Sequence, residues 1–382
     1  MEANASQSAI DWSKRLVAAV DEDNESPPHR CDELLTSAVL RDAPDWAREH
    51  ASLALADFAA AGEGPMADLR ADVVAREFTV VPAAGHLNVL VARMLVPGGP
   101  WPGHRGIEAV VFHSRSSRMP DWFPHLENNQ EVVTFAETVV SSAALRGGHG
   151  HVIFPELLAI SGPLESQRFG IVLVDHLANL YQAHAVPIAV ELGWLTPDET
   201  KNAGDLRTLA FHAHEWGHRA MDDGYSENVA NHRRRLLAVT SEITADVAAL
   251  NMLSGSTHPL APEVARALVL DRILRDAWLV RWEAHVASIV GRLLMQFLVR
   301  VGALSAPSGC LALDLAAARH AFASEMATLG RAYRASNRGD DDPAVRYFAE
   351  NGWTVTANGI SLSSSDPVIE QVERRVRGTH SD

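Results

Sequence analysis

Cysteine is almost absent: Cys31 and Cys310 are the only two in 382 residues, and they lie far apart. That excludes a disulfide scaffold and a cysteine-rich zinc module. Basic charge is also scarce, with 33 Lys and Arg against 48 Asp and Glu, a net charge of −15. Such a balance argues against nucleic acid or an anionic membrane as the main partner. No basic segment followed by an apolar run stands near the start, so no secretory signal is expected. Long uncharged apolar runs are missing too. Val286 to Ala303, read as the most apolar stretch, is interrupted by Arg292 and Arg300 and reads as a buried amphipathic helix. A cytoplasmic location is the resulting expectation. Internal repeats and long low-complexity segments are absent as well.

What is present is ample apolar material. Hydrophobic residues make up 47% and charged residues 21%, which excludes disorder of the whole chain. Ala9 to Ala75 is Ala-rich with helical periodicity (Trp12, Leu16, Val17 and Val20), punctuated by Ser26-Pro27-Pro28 and Ala43-Pro44-Asp45. The texture then turns β-branched. Glu77 to Pro82 and His86 to Val96 predict a hairpin, and Ile107 to His113 a third strand. Val132 to Val140 fits strand or helix, and His151 to Pro155 fits a short strand. From Phe169 the pattern is helical almost to the end, with helices over Glu263 to Ala303 and Leu313 to Ser336. The expected organisation is a helical region (1–75), a β-containing region (76–204), a helical region (205–360) and a flexible tail (361–382).

One segment carries chemistry. Asp205 to Gly224 has apolar residues Leu206, Leu209, Ala210, Ala213, Trp216, Gly217, Ala220 and Met221 at helical spacing. Asp205 is placed to cap its start, and Gly224 to end it. Within it stands His214-Glu215-Trp216-Gly217-His218. Residues four apart stack on one helix face, so two imidazoles can share one metal ion. The intervening Glu215 projects beside that ion as a general base. A zinc site needs a third protein ligand. The position six after His218 is Gly224, which offers none. The next helical stretch, Asn228 to Leu253, does offer one: Glu242, 24 positions after His218, with Asp246 one turn later. Leu236, Val239, Ile243, Val247 and Leu250 share one face of that stretch. Glu242 can bind the metal, and Asp246 can accept the outer N–H of a ligating His.

At these residues the chain resembles the gluzincins, the thermolysin-like metallopeptidases, over about 205–253. The resemblance implies a zincin-like α+β fold, a small mixed β-sheet followed by a mostly helical C-terminal half. It implies one Zn²⁺ held by His214, His218 and Glu242, with Glu215 as catalytic base and Asp246 behind a ligand. It also implies an edge strand that aligns an extended substrate.

Several residues admit a plainer reading. With 18 His, a chance H-E-x-x-H is not negligible, although the helical context and the E-x-x-x-D pair make it less so. His212 reads as a half-exposed helix residue, and Arg233-Arg234-Arg235 as a solvated face. His149 and His151 read as turn residues, and the two cysteines as packing residues. An oxyanion donor is sought among Tyr225, His232, His285, Tyr333 and Tyr347, with Tyr225 and His285 the named candidates for substrate contact.

Three functions follow as expectations. The first is a zinc hydrolase of a peptide or small amide bond. The second is a zincin acting on one small metabolite or modified peptide, and the third a helical interaction protein with a structural metal. Neither nucleic acid nor membrane is an expected partner. Oligomeric state is not readable from the sequence, and two His with one carboxylate also suit iron.

Overall fold

The computed structural model describes residues 11–12, 14–21, 41–42, 87–95, 105–115, 119–126, 133–142, 152–155, 170–221, 234–278, 286–356, 359–362 and 366–379. The chain divides into two compact units, Met1–Arg118 with Gln130–Leu177, and Met119–Asn129 with Ala178–Asp382. The expected boundary at 204/205 falls inside the second unit.

In the first unit, five strands close into a barrel: β1 (Leu87–Leu95), β2 (Arg105–Arg115), β3 (Val133–Ser141), β4 (Val152–Pro155) and β5 (Gly170–Leu173), ordered β1-β2-β3-β5-β4. β1 pairs antiparallel with β2, from Leu87 opposite His113 to Leu95 opposite Arg105. The hairpin partner of β1 is therefore the strand that follows it; the expected strand at Glu77 to Pro82 lies outside the described residues. β3 resolves the ambiguity at Val132 to Val140 as strand, and it pairs parallel with β5. β5 is a correction to the helical reading that began at Phe169. Its Val172 and Leu173 are buried beside Phe135 and Ala136 of β3, a setting where β-branched residues pack well. The five strands close on one another, with β1 meeting β4 at Met94 and Leu95. An N-terminal helical segment at 11–21 buries Trp12, Leu16, Val17 and Val20, as the periodicity predicts.

The second unit is helical. α1 (Val174–Leu180) leads into it and runs through a π turn, Tyr181–Ala185, into α2 (Val186–Glu191), where Pro187 stands near the start and cannot donate a backbone hydrogen bond. Then come α3 (Ala203–Met221), α4 (Arg234–Gly255), α5 (Ala261–Leu274), α6 (Val286–Arg300), α7 (Leu315–Asn337), α8 (Asp342–Glu350) and α9 (Pro367–Thr379). Two-residue strands β6 (Leu304–Ser305) and β7 (Ala312–Leu313) pair with each other, as do β8 (Trp353–Thr356) and β9 (Gly359–Leu362).

α4 is the central element, packed against α3, α5, α6 and α7. Leu236, Val239, Ile243, Val247 and Leu250 are buried, as the sequence predicts. Each contributes roughly 1.5–3 kcal/mol on leaving water. Among the described residues, Leu236–Gly255 is the one helical stretch long and apolar enough to cross a membrane, a stretch the hydropathy reading passed over in favour of Val286 to Ala303. It is mostly buried inside the unit, as a core helix is.

Two C-terminal features differ from expectation. The tail holds α9, because Ile369, Val372 and Val376 recur at helical spacing and bury one stripe. Cys310 is exposed and free, not packed; Cys31 lies outside the described residues.

Tyr347 donates to Glu325 Oε1 at 2.7 Å, and Arg300 donates to the same oxygen at 2.7 Å. Burial, then the Glu325 charge, push the Tyr347 hydroxyl well above its usual range. A raised folded value means its contribution is whole below the ordinary tyrosine range near pH 10 and declines as pH rises beyond it. Tyr347→Phe is expected to cost about 1 kcal/mol at neutral pH, since Arg300 still partners Glu325. It should also flatten part of the stability loss above pH ~10, measured by denaturant unfolding at both pH values.

Candidate metal centre

The local fold explains how the two motif helices meet. α3 starts at Ala203, directly after a 3-10 turn at Glu199–Asn202. Asp205 is therefore a first-turn residue and not the cap; its charge still suits the positive end of the helix. The burial of α3 is broader than one apolar stripe. Arg207, His212, His214, Glu215 and Arg219 are buried, whereas Ala220 is exposed and Leu206, Leu209, Trp216 and Met221 are half-buried. His212 thus departs from the half-exposed reading, and burial followed by the Arg219 charge pushes its pKa down to about 4.

Gly217 is the close-approach point. A Cβ there would lie 2.1 Å from the Ala245 carbonyl oxygen and 2.8 Å from its carbonyl carbon, both α4 backbone. Only a glycine against a small residue lets α3 and α4 come this near. Gly217→Ala should gain about 1 kcal/mol of helix propensity yet lose more to overpacking, roughly 1–3 kcal/mol or above. The expected net result is a lower melting temperature and weaker metal uptake, read by thermal unfolding and zinc titration.

At this crossing three donors converge. His214 Nε2 lies 3.1 Å from His218 Nε2 and 3.3 Å from Glu242 Oε2; His218 Nε2 lies 3.3 Å from Glu242 Oε1. Four donors around a zinc at ~2.0–2.1 Å stand about 3.3–3.4 Å apart by tetrahedral geometry. The observed triangle has that size, and His214, His218 and Glu242 form a group that can hold a metal ion.

The outer nitrogens support the same reading. Asp246 Oδ1 is 2.7 Å from His214 Nδ1, and an ionised carboxylate only accepts, so Nδ1–H donates and Nε2 is the nitrogen turned to the other donors. Ser241 Oγ lies 3.3 Å from His218 Nδ1 and can accept from it in the same way. Two imidazole nitrogens and a carboxylate then face one point, an arrangement that can hold a cation. The charges agree. Burial disfavours the charged form of His214, yet Asp246 and Glu242 outweigh burial and push its pKa up to about 10. Burial would raise Glu242, but His214 and His218 hold it well below the usual carboxylate range. Without metal, a proton plays the part of the cation.

Behind the donors lies a buried ionic ladder. Arg272 pairs with Asp246 (2.8 Å) and Asp276 (2.9 Å), Arg275 with Asp271 (2.6 Å) and Asp276 (2.9 Å), and Arg207 with Asp271 (2.5 Å). Three buried arginines thus face three buried aspartates, and Arg272 Nη2 also reaches Glu242 Oε2 at 3.5 Å. Burying charges costs several kcal/mol each, so such a ladder specifies geometry more than it adds stability.

Glu215 follows His214 directly and is buried at 5% exposure; among the described residues no hydrogen bond or ion pair engages its carboxylate. Tyr347 is taken up by Glu325, and Tyr333 is a buried α7 residue. Tyr225, His232 and His285, like Gly224, Arg233, His149 and His151, lie outside the described residues. Sequence reasoning missed Ser241 and Arg272. Ser241 stands directly before Glu242, which is a signal; Arg272 has none, since it reaches the site only through the packing of α5.

No family model matches the chain, and no curated protein matches it by sequence. Its backbone does match solved structures, among them DPP III from Caldithrix abyssi, with a TM-score of 0.58 and 12% identity over 91% of this chain and 69% of that one. At that identity the likeness is one of fold. Fold and site together define a mostly helical α+β chain with a three-donor group able to hold a metal ion.

Proposed function

We propose that the chain is a zinc-dependent hydrolase of an amide or peptide bond. The observation that carries this reading is the triangle of His214 Nε2, His218 Nε2 and Glu242, with both outer imidazole nitrogens already engaged. In it His214, His218 and Glu242 hold one Zn²⁺, and Asp246 and Ser241 fix the two imidazoles. The side chains of His218 and Glu242 are 25% and 33% exposed against 5% for His214, so the donor group opens to solvent on one side. A structural zinc is closed by four protein ligands; three donors with an open side suit catalysis. When bound, Zn²⁺ supplies a Lewis acid that acidifies water and polarises a carbonyl. Glu215 takes the proton of the attacking water and delivers it to the leaving nitrogen. The fold shared with DPP III supports a hydrolase of this architecture and leaves the substrate open.

The test is metal analysis joined to a screen. Purified protein is expected to carry one zinc per chain. It should cleave a subset of a library of short peptides and small amides, lose that activity to a chelator, and regain it with zinc but not with iron. Cleavage undiminished by chelation in a metal-free protein would overturn the reading. A zinc-loaded protein that cleaves nothing would point to a structural metal.

A further inference from the structure

The strongest unassigned feature is Arg272, the α5 residue that reaches the metal centre from a third helix. Its guanidinium makes a fork on Asp246, Nε to Oδ2 at 2.8 Å and Nη2 to Oδ1 at 3.3 Å. Nη2 also lies 3.5 Å from Glu242 Oε2 and 3.4 Å from His214 Nδ1. The last contact joins two donors. His214 Nδ1–H and Arg272 Nη2 share one acceptor, Asp246 Oδ1, so the Arg sets which way that oxygen faces. On its far side Nη1 donates to Asp276 Oδ2 at 2.9 Å, which anchors the guanidinium to the 3-10 turn that follows α5. The backbone is held as firmly: a Cβ at Gly291 of α6 would lie 2.4 Å from the Arg272 carbonyl oxygen, so α6 presses on α5 at this residue.

We infer that Arg272 is the positioning residue of the metal centre, orienting Asp246 toward His214 and restraining Glu242 so that three donors stand ready before the ion arrives. The inference rests on the proposed metal reading. Its chemistry is that of a planar fork. A lysine carries the same charge but cannot bind two carboxylate oxygens in one plane. Asp246, without that fork, is free to turn about its side-chain torsions, and His214 loses the acceptor that fixes its tautomer. Partners behind metal ligands of this kind are worth about 10–100-fold in metal affinity. Arg272 touches no reacting atom, so its effect must appear in metal binding before it appears in turnover.

The experiment compares full-length wild type with Arg272→Gln, Arg272→Lys and, as a matched control, Arg207→Gln. Arg207 belongs to the same buried ladder, at Asp271, but makes no contact with the donors. Zinc affinity is measured by chelator competition, and the visible absorption of the cobalt-substituted protein reports ligand geometry. Arg272→Gln is expected to bind zinc about 10–100-fold more weakly with altered cobalt bands, and Arg272→Lys to recover only part of the loss. Arg207→Gln should melt lower yet keep zinc affinity within about threefold, because it reaches the donors only through Asp271, Arg275 and Asp276 and partners no ligand itself. Equal losses in Arg272→Gln and Arg207→Gln would reduce Arg272 to a general stabiliser and overturn the inference. Should Arg272→Gln not fold, wild-type zinc affinity and unchanged cobalt bands in Arg272→Lys would overturn it equally. A wild type that takes up no metal would overturn the metal reading and this inference together; a zinc-binding wild type beside unaffected Arg272 variants would overturn this inference alone.

Discussion

Glu215→Gln is expected to lower kcat roughly 100- to 10,000-fold, the usual worth of a positioned general base. The substitution preserves size and one carbonyl oxygen and removes only the ability to take a proton. Glu215 is outside the donor group, so zinc content should stay at one per chain. Its backbone sits mid-helix between His214 and His218, and its side chain is buried, so glutamine fits the same space. The measurement is a steady-state comparison on any substrate the wild type cleaves, with metal content determined on the same samples. Turnover at the original rate, with zinc in place, would remove Glu215 from the mechanism. A change in KM alone would remove it too, because a base acts in the transition state and not in substrate binding.

His218→Ala should abolish zinc uptake while leaving the fold. His218 contributes one of three donors, and its side chain is a quarter exposed, so truncation opens no large cavity. The effect is therefore read best through linkage. Zinc at about 1,000 times its dissociation constant stabilises the wild type by about 4 kcal/mol. At about 2–4 °C per kcal/mol for a unit of this size, that is an upward melting shift on the order of 10 °C. The variant should show no zinc-dependent shift and melt near the wild type measured with chelator. A zinc-dependent shift of wild-type size in His218→Ala would mean the ion sits elsewhere.

The parts of the site written in local spacing were legible in the sequence. His214 and His218 share a face because four residues make just over one helical turn, and Glu242 and Asp246 do so for the same reason. The buried stripe of α4 followed from the same period. Fold class was legible at the level of a mixed sheet followed by helices, because β-branched runs and helical periodicity are properties of short windows. The amphipathic tail helix α9 was equally local, and its polar composition hid it.

What the sequence could not determine is what depends on how elements pack. Gly217 in the motif gave no hint that Ala245 backbone would fill the space of its missing side chain. Arg272 stands 58 residues from His214, and no period links them; α5 packing brings them to 3.4 Å. Closure of the five strands likewise depends on β4 and β5 meeting β1 and β3, a matter of distant pairing and not of strand propensity. Helical period is fixed by the backbone and is the same everywhere, so motif faces can be read from spacing alone. Convergence of separate helices is fixed by which side chains are small enough at the crossing, and that is decided only in three dimensions.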